Sequence, residues 1–139
     1  MENIRVALAQ VEWLGSREAM KAQYRKLLAH QNARLICLPE FSLLPYFPAS
    51  TDPAGFAWAE SLPGGESERF FSELALERQA YVIGSLFEKT PDGKHYDTAT
   101  IHDPMGALVG FTRKVHIPYG EGYNERHFFG GGDEYPVHQ

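Results

Sequence analysis

Leu35-Ile36-Cys37-Leu38-Pro39-Glu40 is an apolar run closed by a proline and then a carboxylate. Leu35 to Leu38 reads as a short buried strand, and Pro39, lacking an N–H, ends its ladder. Upstream, Ser16 is placed to cap a helix running from about Arg17 to Ala33, with Met20, Tyr24, Leu27 and Leu28 on one apolar stripe. Before that helix, Ile4 to Gln10 (IRVALAQ) reads as a mostly buried strand. Strand, helix and strand in this order form a βαβ unit, which favours a parallel pair with a right-handed crossover. The fold class is therefore α/β.

Downstream, Phe41 to Gly65 is irregular, with Pro45, Pro48, Pro53 and Pro63 among Tyr46, Phe47, Phe56 and Trp58. Such an aromatic loop either shapes a pocket, with Tyr46 against a substrate, or packs its own rings at the surface. A second helix is expected from about Glu66 to Gln79, turning Phe70, Phe71, Leu74 and Ala75 inward. Tyr81 to Phe87 is a third strand. Pro91-Asp92-Gly93-Lys94 and Asp103-Pro104-Met105-Gly106 are turn signals that set off strands near Tyr96 to His102 and Ala107 to Lys114. Turns this closely spaced imply antiparallel hairpins after a parallel start, so the sheet is mixed. Beyond Pro118 the chain reads as Gly-rich and irregular, and no internal repeat is visible.

The 139 residues suffice for one cored domain and are too few for two of usual size. An apolar share of 43% and a charged share of 22% are ordinary globular values. A net charge of −5 with no basic cluster argues against nucleic acid as a partner. No apolar run approaches the ~20 residues of a membrane span. The start, Met1-Glu2-Asn3-Ile4-Arg5, lacks the pattern of a signal peptide. A single cysteine, Cys37, makes no internal disulfide and fits a cytoplasmic location.

Two strand ends carry charge. Glu40 follows the proline that closes one strand. A carboxylate there, under aromatic rings, is expected to be partly desolvated with a raised pKa, which suits general-base work. The structural alternative is a carboxylate paired for packing reasons. Lys114 ends a later strand, where an ammonium either stabilises an oxyanion or is simply solvated. Glu125, in Gly122-Tyr123-Asn124-Glu125-Arg126, lies in a stretch too polar to be core and otherwise reads as a surface acid beside Arg126. His116 reads as a pocket-wall group rather than a base. Cys37, small and mid-strand among apolar neighbours, reads as core rather than nucleophile. The spacing of His95, His102, His116, His127 and His138 matches no metal motif, and no metal or cofactor is expected.

Together these segments resemble the carbon–nitrogen hydrolase (nitrilase) superfamily. Val6 to Gln10 is similar to that family's first strand, and Leu38-Pro39-Glu40-Phe41 resembles its catalytic-glutamate motif. Arg113-Lys114-Val115-His116-Ile117-Pro118 resembles its catalytic-lysine motif. Gly122 to Arg126, followed by Phe128-Phe129 and Gly132-Asp133, resembles the stretch that carries a second glutamate. The closest look is to the N-carbamoylputrescine amidase and aliphatic amidase branches.

The resemblance implies a four-layer α-β-β-α sandwich, of which residues 1–139 would supply the amino-terminal portion of a single domain. It implies a Glu-Lys-Cys site hydrolysing a linear amide or N-carbamoyl amine. Glu40 is then the general base, Lys114 the stabiliser of the tetrahedral intermediate, and Glu125 a group that positions substrate or Lys114 or assists proton transfer. The family cysteine lies further along than Gln139, so this chain alone is expected to be inactive. The cysteine would come from the rest of a longer hydrolase or from a second chain, and homo-oligomers are expected. Uncovered strands would leave an open edge and exposed apolar surface. The rival reading is a binding or assembly module that keeps the fold without the chemistry.

Overall fold

The computed structural model describes residues 3–138; Met1, Glu2 and Gln139 lie outside the described residues. Five strands form one mixed sheet in sequential order: β1 (Val6–Leu8), β2 (Leu35–Cys37), β3 (Tyr81–Lys89), β4 (His95–His102) and β5 (Leu108–Arg113). The first three are parallel and the last three antiparallel, the mixed arrangement expected from the βαβ start and the later turns.

Helices α1 (Arg17–Leu28) and α2 (Glu66–Arg78) pack on one side of the sheet. Ser16 caps α1 by accepting the Ala19 N–H at 3.2 Å. Met20, Tyr24 and Leu28 are its buried positions, with Phe70, Phe71, Leu74 and Ala75 of α2 beside Ile36, Val82 and Leu86 of the strands. The first helix is shorter than the expected run to Ala33. Leu27 points away from the core and is exposed, and after Leu28 the polar His30-Gln31-Asn32 offers no apolar position to prolong the stripe. Gln79 ends α2 in the left-handed region, with φ of 48°.

The other face of the sheet is open. Cross-strand register aligns Leu8, Cys37, Ile83 and Ile101 in one apolar row. The strand expected to be mostly buried, β1, is an edge strand with Val6 43% and Leu8 78% exposed. Ala7 of β1 turns toward the helices and, with Ala9, Val11 and Trp13 just beyond the strand, meets the main core. Among the described residues, no helix is long and apolar enough to cross a membrane.

A second apolar cluster holds Phe41, Leu44, Phe87, Phe128 and Phe129, with Phe47, Trp58 and Ile117 against it. It ties the loop after β2, which makes two short 3-10 turns at Phe47–Ala49 and Pro53–Trp58, to a short helix α3 (Glu125–Phe128). That helix stands where the sequence reads as irregular. Its four residues are too few to show a periodic pattern.

Candidate active site

Glu40 and Lys114 stand just past the ends of β2 and β5, and the sheet brings them together. Lys114 Nζ donates to Glu40 Oε1 at 2.7 Å, across 74 residues of sequence. It also donates to Glu125 Oε2 at 2.8 Å and to Glu125 Oε1 at 3.1 Å. Tyr46 completes the group, its hydroxyl donating to Glu125 Oε1 at 2.8 Å. The Lys114 backbone is fixed by its own N–H, which donates to the Asp97 carbonyl at 2.8 Å.

Glu125 is not a surface acid. It is 2% exposed, because Phe128 and Phe129 on either side of α3's end enter the aromatic cluster and draw the helix inward. Asn124, immediately before it, donates from its backbone to Pro48 O at 2.8 Å and from its side chain to Pro48 O and Ala49 O. The aromatic loop packs its rings inward, into a buried cluster, rather than at the surface. Phe41 and Phe47 pack against one another, and Phe47 packs against Phe87 and Phe128. Tyr46 turns its hydroxyl into the polar cluster.

The turn that presents Glu40 is built by two serines. Ser85 Oγ accepts the Phe41 N–H at 3.1 Å, and Ser85 N–H donates to Ser42 Oγ at 3.0 Å. Ser42 Oγ donates back to the Pro39 carbonyl at 2.8 Å, while Tyr24 of α1 donates to the Ser42 carbonyl at 2.7 Å. This net holds Phe41 at a φ of +47°. An aromatic residue in that region costs on the order of 1–3 kcal/mol, sustained only where surrounding contacts over-determine it.

Sequence reasoning passed over Asp97. It is 5% exposed on β4, accepts from Ser85 Oγ at 3.0 Å through Oδ1, and lies with Oδ2 3.6 Å from Lys114 Nζ. Its carboxyl and that of Glu40 both face Lys114 Nζ, at 3.6 and 2.7 Å. The available signal was its position two residues before Ala99 on an alternating strand, which turns an acid toward the face where Ile83 and Ser85 lie.

The electrostatics differ from expectation at Glu40. Burial pushes its pKa up, but its interactions with Asp97 and Lys114 outweigh this and hold it below the usual carboxylate range. It stays 43% exposed, which weakens the desolvation. Burial lowers Lys114, yet its bonds to Glu125 and Glu40 prevail and keep it firmly an ammonium. Burial, then the bond to Glu125, raise Tyr46 and keep it a neutral donor. Asp97 is pushed up to about 8, by burial first and by the adjacent Glu40 second.

Leu38, Glu40, Ile83, Ser85, Asp97 and Lys114 line a cleft of about 310 Å³ that opens on the apolar sheet face. His116 stands outside this lining, exposed, with its ring 6.3 Å from that of Tyr135. Burial raises the pKa of the Cys37 thiol, the reverse of what activates a nucleophile.

A carbon-nitrogen hydrolase family model matches residues 5–139. The chain is 28% identical over 136 residues to a citrullinase of Francisella tularensis, covering 95% of this chain and 47% of that protein. It is 32% identical over 124 residues to the omega-amidase NIT2 of Homo sapiens, covering 84% and 42%. Among solved structures, a carbon-nitrogen hydrolase from Helicobacter pylori G27 superposes with a TM-score of 0.86 at 32% identity, over 94% of this chain and 45% of that one. The chain thus spans about half the length of the relatives it matches. With a family model matching nearly its whole length and a shared α/β sheet, the chain belongs to the carbon–nitrogen hydrolase family.

Proposed function

We propose that this chain supplies the glutamate–lysine part of a Glu-Lys-Cys site that hydrolyses a linear amide or N-carbamoyl amine. It would be the amino-terminal portion of one hydrolase domain, with the nucleophilic cysteine on polypeptide beyond Gln139 or on a second chain. The observation that carries this reading is the Lys114 ammonium held between Glu40 and Glu125 at the mouth of an open cleft.

In this scheme Glu40 takes the thiol proton as sulfur attacks the carbonyl carbon, and Lys114 meets the developing oxyanion. Collapse of the tetrahedral species breaks the C–N bond. The proton held on Glu40 passes to the departing amine or ammonia, leaving a thioester. Glu40 then takes a proton from water, which attacks the acyl or carbamoyl carbon on sulfur, and passes it to the departing sulfur, so that acid or carbamate leaves and the thiol is restored. Glu125, with Tyr46, keeps Lys114 aimed at the carbonyl oxygen, where the negative charge develops.

The amide class is supported by similarity to omega-amidases, to a citrullinase and to an N-carbamoylputrescine amidase of Solanum lycopersicum, the last 34% identical over 106 residues. A cytoplasmic location and association with a further copy or chain belong to the same reading; exposed Val6 and Leu8 on the open sheet face favour association.

The experiment expresses the chain alone and with the cysteine-bearing polypeptide encoded after or beside it, then assays linear amides and N-carbamoyl amines. Turnover is expected only from the combination and is lost in Glu40→Gln and Lys114→Met. Turnover by the chain alone would overturn this reading, and binding without turnover in the combination would favour a non-catalytic module.

A further inference from the structure

Three carboxyl groups, those of Glu40, Asp97 and Glu125, gather around the single ammonium of Lys114. One ammonium cannot balance three anions in a partly buried site, so one carboxyl is expected to keep its proton. Glu125 is already matched, taking Lys114 through both oxygens and Tyr46 through one. Glu40 takes Lys114 at 2.7 Å. Asp97 is the remaining group, and its Oδ2 stands 3.6 Å from the ammonium, outside hydrogen-bond reach.

We propose that Asp97 is a neutral carboxylic acid in the resting site and a positioning residue for Glu40, donating its O–H to the Glu40 carboxylate. Ser85 sets the orientation. Because Ser85 Oγ accepts the Phe41 N–H, its own hydrogen goes to Asp97 Oδ1, which makes Oδ1 the carbonyl oxygen and leaves Oδ2 to carry the proton. Glu40 is then held by two donors, Lys114 and Asp97, with its remaining lone pairs toward the cleft. Burial of Asp97 and its proximity to Glu40, which push it up to about 8, agree with this geometry. The charged groups facing Asp97 are Glu40 and Lys114, with Glu125 and Tyr46 bonded next to Lys114.

This inference deepens the proposed function by adding a residue to the same site, but its test needs no turnover. Carbon-13 labelling of aspartate and glutamate carboxyls, followed by NMR across pH, reads the titration of each group in the full chain. Asp97 is expected to titrate near 8, against an ordinary aspartate value of ~3.9, with Glu40 below its ordinary range. Asp97→Ala sets the sign: loss of a donor raises the Glu40 midpoint, whereas loss of an anion lowers it. Asp97→Asn, which keeps a carbonyl for Ser85 and an N–H for Glu40, is expected to leave Glu40 depressed.

Thermal melts add a second readout. Asp97 keeps its proton in the folded chain above its unfolded value, so its contribution is full below ~4 and is lost as pH rises toward about 8. Wild type should therefore lose stability relative to Asp97→Asn across that window. An Asp97 midpoint in the ordinary aspartate range, or a fall of Glu40 in Asp97→Ala, overturns the proposal even if the completed enzyme hydrolyses amides. A high Asp97 midpoint in a completed enzyme without hydrolysis leaves this inference standing and removes the proposed reaction.

Discussion

Glu125 Oε2 lies 2.8 Å from Lys114 Nζ, and this contact involves a carboxylate only 2% exposed. The Glu40 contact to the same ammonium is as short but much more open. Lys114 is therefore held on its buried side by a helix that the aromatic cluster keeps in place. Replacing Glu125 by Gln removes one partner of a buried, charge-assisted pair. We expect a loss of about 1.5–3 kcal/mol in urea unfolding, with the Lys114 ammonium more mobile by NMR relaxation. Unchanged stability would show that α3 is held by its phenylalanines alone.

Lys114→Met tests the charge balance at Glu40. The Lys114 contact helps to hold Glu40 below the usual range, so its stabilising contribution is present above the unfolded value and is lost as pH falls through the folded one. Without the ammonium the Glu40 midpoint should rise, and that part of the acid-side loss should vanish from melts recorded against pH. A Glu40 midpoint that stays put would mean that Asp97 alone sets it.

Ser85→Ala leaves two buried groups without their partner, the Phe41 N–H and Asp97 Oδ1. We expect a cost of about 1–3 kcal/mol by chemical denaturation, with loosening of the Phe41 turn seen in faster amide exchange. Ser50→Ala, at an exposed turn where Ser50 accepts only the Asp52 N–H, serves as control and should change stability by less than ~0.5 kcal/mol.

Gly84 lies on β3 beneath α2, where an added Cβ would come 2.6 Å from the Phe71 ring. Phe71 is fully buried and cannot swing aside. Gly84→Ala is expected to cost about 1–3 kcal/mol through overpacking. A mutant as stable as wild type, measured by calorimetry, would mean that helix and sheet can part here at little cost.

The contrast between Leu27 and Leu28 shows how far local pattern reaches. Both fit the apolar stripe of α1, yet only Leu28 is buried, since neighbours stand about 100° apart around a helix and the core covers only the Leu28 side. At β1 the same limit appears as exposure: an apolar strand reads as buried whether or not anything covers its second face. Glu125 reads as polar loop because its burial comes from Phe128 and Phe129 meeting Phe41 and Phe87, not from its own neighbours.

The sequence by itself determined the order and type of the main elements, through apolar periodicity, the Ser16 cap and the Gly and Pro turns. It also placed Glu40, Lys114 and Glu125 in motifs whose order carries the family resemblance. Those signals are local, and short-range sterics and capping suffice to produce them. Tertiary structure alone decided that Asp97 and Ser85 join the site, that Glu125 is buried against Lys114, and that Phe41 adopts a positive φ. Each depends on sheet register and on contacts such as Tyr46 to Glu125, 79 residues apart, whose geometry no local pattern encodes.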